Sequence, residues 1–171
     1  VTEVYRGKNV KDINSTLEYT PYGMTALMDG VGIAIDTIGK WLNSMSEDEK
    51  PEQNLIVIIT DGGENFSKEY SASRVREMIQ HQQDKYSWNF IFLGADLTNV
   101  KDAVDLGIKT RGITTKKTLG KSYDIVNSSL SLYRNVNGTK DQKLATMNAY
   151  LCSSVDAMND DYQKTTGIKV D

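Results

Sequence analysis

Apolar positions along this chain change their spacing several times, and each change marks an element. Val1–Arg6 (Val-Thr-Glu-Val-Tyr-Arg) is short, rich in β-formers and closed by Gly7-Lys8-Asn9, which predicts a strand. Asn14-Ser15-Thr16 and Thr20-Pro21-Tyr22-Gly23 are loop and turn chemistry. From Ala26 onward Leu27, Met28, Val31, Ile35, Ile38 and Leu42 recur at the spacing of an amphipathic helix, which stops before the charged loop Ser46–Pro51. Leu55-Ile56-Val57-Ile58-Ile59 is apolar on consecutive residues, the pattern of a strand covered on both faces. It ends in the Gly-rich loop Thr60-Asp61-Gly62-Gly63-Glu64-Asn65. A helix follows from about Ser71 to Lys85, with Val75, Met78, Ile79 and Gln82 on one side, and Trp88–Ala95 predicts a second buried strand.

Beyond it, Thr98 has the chemistry of an N-cap for a short helix ending near Leu106, with Gly107 as its C′ residue. Gly112–Thr115 predicts a small edge strand. Tyr123, Val126, Leu130 and Tyr133 line one more helix, and Leu144, Met147, Leu151, Val155 and Met158 continue helical spacing past Asn137-Gly138. The methionines are expected as core filler. Alternation of strand and helix from residue 24 to 136 predicts an α/β fold, an open, mostly parallel sheet with helices on both faces. Gly138 is the natural boundary between an α/β body, residues 1–136, and a C-terminal helical tail, residues 137–171.

Composition narrows the chemistry. The 171 residues carry 20 Lys and Arg against 23 Asp and Glu, a net charge of −3, so a phosphate backbone finds no basic excess and no nucleic-acid partner is expected. No apolar run approaches the roughly 20 residues that span a bilayer, so no membrane partner is expected either. One Cys (Cys152) excludes an internal disulfide and a Cys-based zinc site. One His (His81), in the polar run Gln80–Gln83, makes any Ser-His-Asp triad depend on it alone; it reads as part of a solvated helix face. The single Cys and the lack of an export signal point to the cytoplasm of a bacterium or its phage.

Ligands of open α/β sheets gather at the carboxyl ends of the strands. Two loops lie there. Tyr19–Leu27 offers the hydroxyl of Thr25 at a helix start, and Thr60–Asn65 offers the carboxylate of Asp61 at a strand end. Both are hard oxygen donors that suit Mg²⁺ or Mn²⁺, and Gly62 lets the backbone turn so that the carboxylate stands clear. Taken singly, each is also ordinary chemistry: a helix cap and a turn.

Their order is more specific. A helix-leading Gly23-Met24-Thr25-Ala26-Leu27 followed by an all-aliphatic strand ending in Thr60-Asp61-Gly62 resembles the von Willebrand factor A-type domain, a three-layer, Rossmann-like fold. Phe92–Asp96 and Tyr133-Arg134 resemble a bacterial and phage subgroup, and the likeness covers roughly residues 1 to 135. It implies a metal-ion-dependent adhesion site in which Thr25 and Asp61 are the second- and third-loop ligands. The family's first loop, Asp-x-Ser-x-Ser, is absent. Glu69-Tyr70-Ser71-Ala72-Ser73 is a near copy, but it follows Asp61 and reads as helix-capping chemistry.

The family order also places two strands between the strand matched by Val1–Arg6 and Leu55–Thr60. The expectation is therefore an N-terminally truncated domain with half a metal site, unless the strands pair with a second copy, which leaves self-association open. The function this implies is non-catalytic: a binding module whose Mg²⁺ or Mn²⁺ accepts an acidic side chain from a protein partner, with Glu64 and Asn65 near its rim. An alternative is a Mg²⁺-dependent hydrolase using Asp61, with Asp96 as its best second carboxylate. The absence of a phosphate loop and of a Gly-x-Ser-x-Gly elbow counts against that reading. A third is a metal-free scaffold that meets partners through apolar surface.

Overall fold

The structure, a computed structural model, describes residues 8–12, 23–95, 97–108, 110–113 and 118–169. The expected strand Val1–Arg6, the turn before Gly23, and Asp96 lie outside the described residues. After a 3-10 turn at Val10–Asp12, helix and strand alternate through α1 (Leu27–Asn43), β1 (Leu55–Thr60), α2 (Ala72–Tyr86), β2 (Asn89–Gly94), α3 (Leu97–Asp105) and β3 (Thr110–Ile113), and two helices follow, α4 (Leu119–Asn135) and α5 (Lys140–Thr166). This is a mixed α/β fold around a small parallel sheet. Among the described residues the strand order is β1-β2-β3, with Leu55 opposite Asn89 and Ile91 opposite Thr110.

Strand periodicity divides the core. Phe90 and Phe92 of β2, with Ile58 of β1, pack with Val31 and Ile35 of α1, Val75 and Ile79 of α2, and Ala103 of α3. The intervening Ile91 and Leu93 pack with Leu151 of α5 and with Ile125 and Val126 of α4. Alternate residues of a strand point to opposite sides, so β2 serves both clusters. Both faces of β2 are therefore apolar, as its consecutive hydrophobic residues predict.

Helix ends follow local chemistry. Ser71 caps α2 by accepting the Arg74 N–H at 3.3 Å, so Glu69–Ser73 holds the capping role its sequence suggests. Thr139 and Gln142 form a reciprocal capping box at the start of α5. Gly107 takes positive φ (+73°) just after α3, as expected of a C′ glycine. Two readings of detail change. α3 starts at Leu97, so Thr98 lies inside the first turn rather than capping it. On α4, Tyr123 is exposed, and the fully buried residues are Ser122 and Ser129. Their hydroxyls donate to the carbonyls of Thr118 and Ile125, four residues back, which satisfies them inside the contact. Small residues there let α5 approach closely, with the Met158 sulfur 3.8 Å from the Ser122 hydroxyl.

α5 packs along α4 and against β3 through Met147, Leu151, Val155 and Met158. Gly112 of β3 makes the approach feasible, since a Cβ there would lie 2.9 Å from Val155. Met28, Met78, Met147 and Met158 are buried, while Met24 is exposed. Among the described residues, no helix is long and apolar enough to cross a membrane.

Candidate functional site

β1 ends in a turn that its own last residue builds. The Thr60 hydroxyl donates to the Gly62 carbonyl at 2.6 Å and accepts the Gly62 N–H at 3.2 Å, folding the chain back within two residues. Asp61 is thereby left exposed at the carboxyl end of the sheet. The Ala95 N–H donates to the Thr60 carbonyl, which ties this turn to the end of β2.

Thr25 arrives at the same place from the other loop. A Cβ built on Gly62 would stand 2.7 Å from Thr25 Oγ1, closer than side chains tolerate. Glycine after Asp61 is therefore what allows the hydroxyl to sit against the turn. The Asn65 side chain accepts the Thr25 N–H at 2.8 Å, and the Asn65 N–H donates to the Thr25 carbonyl at 3.0 Å. These bonds hold Thr25 by its backbone. The N-cap of α1 is Ala26, which has no side chain to cap with, so Thr25 is not the cap that a local reading allows.

The missing cap comes from far along the chain. Glu64 accepts the Met28 N–H at 2.8 Å, and the Ser67 hydroxyl oxygen accepts the Asp29 N–H at 3.0 Å. Two of the donors that a helix start leaves without intrahelical partners are thus satisfied by loop 61–71. The loop is held in return. Asp29, buried in the first turn of α1, accepts the N–H groups of Lys68, Glu69 and Tyr70 at 2.8–2.9 Å. Glu64 additionally accepts the N–H groups of Phe66 and Ser67 and the Ser67 hydroxyl. Burial pulls both carboxyls upward, but these donors outweigh it and leave each below its ordinary range. The Tyr70 ring lies over Gly32, where an added Cβ would collide with it, and its hydroxyl donates to Asp36 at 2.7 Å. That carboxylate, ahead of burial, raises the phenol above its usual value.

Thr25 and Asp61 are therefore brought to one end of the sheet, and Glu64 turns inward to brace α1 instead of standing at the rim. Asn65 remains exposed beside Thr25. Asp29 was not singled out by the sequence; an acidic residue in the first turn of a helix was its only local signal. Among the described residues, no group of three or more His, Cys, Asp or Glu side chains converges as a metal cage. His81 is exposed on α2, beside the Tyr86 ring. Compared with protein-family models, with curated proteins and with solved structures, the chain finds no match in any of the three.

Proposed function

We propose that this chain is a non-catalytic protein-binding module of the von Willebrand factor A type, in which Thr25 and Asp61 are two oxygen ligands of a Mg²⁺ or Mn²⁺ adhesion site. The observation that carries the reading is the seating of the Thr25 hydroxyl against Gly62, the residue after Asp61. It supports a shared site for the two loops, although 36 positions separate Thr25 from Asp61. The donor set fits a hard cation: one hydroxyl and one exposed carboxylate, with no sulfur or imidazole. A three-layer arrangement is supported by the two clusters that β2 serves on alternate residues.

Two ligands fill a third of an octahedral shell. The rest would come from water and from the first loop that the family resemblance implies. An ion held there would supply Lewis acidity, and a partner's acidic side chain would take the open position. This chain's own residues present the two oxygens and brace the loops that carry them.

The test is a titration of Mn²⁺, followed by electron paramagnetic resonance, into this chain and into a version carrying the residues encoded upstream of Val1. Binding in either, lost on Asp61→Ala, is the expected result; binding in neither removes the metal. A metal-free scaffold is then the better reading, favoured by the exposed Met24 and Phe66, each adjacent in sequence to the bonded Thr25–Asn65 pair.

A further inference from the structure

The two carboxylates beside the proposed ligands do something the adhesion-site reading does not use. Glu64 belongs to the loop and binds backbone of α1; Asp29 belongs to α1 and binds backbone of the loop. The contacts run in opposite senses across one seam, and Ser67 joins them, accepting from the Asp29 N–H while donating to Glu64. Thr25 and Asn65 close the end of the seam nearest Asp61.

We propose that Asp29 and Glu64 are positioning residues, a reciprocal clamp that fixes the spacing of Thr25 and Asp61 before any ion or partner arrives. The inference takes its purpose from the proposed site and its mechanism from the geometry alone. A single bond across the seam would let the loop pivot about it. Acceptors on both sides, bonded to Met28 on one strand of the seam and to Lys68–Tyr70 on the other, remove that freedom. Each carboxylate is also committed. Glu64 holds four donors and Asp29 three, so neither can swing out to ligate without releasing them. Bonds to an ionised acceptor are roughly twice as strong as neutral ones, which suits a clamp that must hold without metal.

The prediction distinguishes a clamp from two separate caps. In metal-free protein, amide exchange followed by NMR should show cross-talk. Glu64→Gln should speed exchange on the order of tenfold at Lys68–Tyr70, whose acceptor is Asp29, as well as at its own partners Met28, Phe66 and Ser67. Asp29→Asn should do the same at Met28 and Ser67. Acceleration confined to each residue's own partners overturns the proposal. Should either variant fail to fold, Ser67→Ala, which removes only the bridging hydroxyl, must raise exchange on both sides of the seam or the proposal fails.

Mn²⁺ provides the second arm. With Thr25 and Asp61 intact, either carboxylate variant should weaken binding by roughly tenfold, the scale of one lost positioning bond. Unchanged affinity in both overturns the positioning role. If the unaltered protein binds no Mn²⁺ but the exchange cross-talk is present, the adhesion site fails while the clamp holds.

Discussion

β1 and β2 run side by side for six residues each, from Leu55 against Asn89 to Thr60 against Gly94, and both are almost wholly apolar. β2 has a strand on each side and is buried from Phe90 to Gly94. In β1 only Ile58 is buried, and Ile59 keeps 40% of its surface exposed. Edge strands are ordinarily blunted by charge, proline or a bulge, and interior strands under helices carry continuous aliphatic runs. β1 has the interior composition and, among the described residues, an edge position. Apolar patterning thus records the surroundings a strand is suited to, whereas its place in the sheet depends on which partners are at hand. Both strands reach the two clusters, β1 through Ile56 and Ile58 on one face and Leu55 and Val57 on the other, but β2 supplies the more deeply buried side chains and β1 leads into Asp61.

The largest test of that contrast is a pair of truncations. Phe92→Ala, at a side chain with no exposed surface, should lower unfolding free energy by about 3–5 kcal/mol, while Ile59→Ala should cost under about 1 kcal/mol. Equal losses in denaturant unfolding would mean that β1 is covered as deeply as β2. Next in size is Gly32→Ala. The added methyl meets a Tyr70 ring already tethered to Asp36, so overpacking should cost about 1–3 kcal/mol. Its effect should appear in the loop that follows β1, with exchange in β2 unchanged.

Acid gives the smallest effect. The Asp29 and Glu64 carboxyls are depressed in the folded protein. Their contribution is therefore complete above the unfolded carboxylate range, roughly pH 4, and is lost as pH falls through the lower folded values. Amides 66–70 should lose protection in that acid window before those of β2 do, and Asp29→Asn should flatten the response. Simultaneous loss in both regions would contradict the separation of site from core.

What the sequence revealed here follows the range of the forces involved. Helix periodicity placed α1, α2 and α5, and consecutive aliphatic residues placed β1 and β2, because each pattern is written within one element. Thr25 and Asp61 stood out because a hydroxyl at a helix start and a carboxylate at a strand end are local signals. The brace between them was not legible. Glu64 caps a helix that begins 37 positions earlier, at Leu27, and Asp29 binds backbone N–H groups about 40 positions later. Nothing in the identity of the Lys68, Glu69 or Tyr70 side chains announces a bond made by their main chains. On α4, Val126 packs against the core as its spacing predicts, while Tyr123 turns out to solvent for a related reason. Tyr123 is the larger apolar group, but the buried positions go to Ser122, in contact with Met158 of α5, and Ser129, whose hydroxyls find carbonyls on their own helix.

In the proposed function, Thr25 and Asp61 act as one site. Mn²⁺ added to isotopically labelled protein tests it directly, because a bound paramagnetic ion broadens the amides nearest to it. Signals of residues 24–26 and 60–63 should broaden together at the same Mn²⁺ concentration, and Asp61→Ala should abolish both effects. Broadening of one loop without the other, or of neither in this chain and in its upstream-extended form, would contradict it.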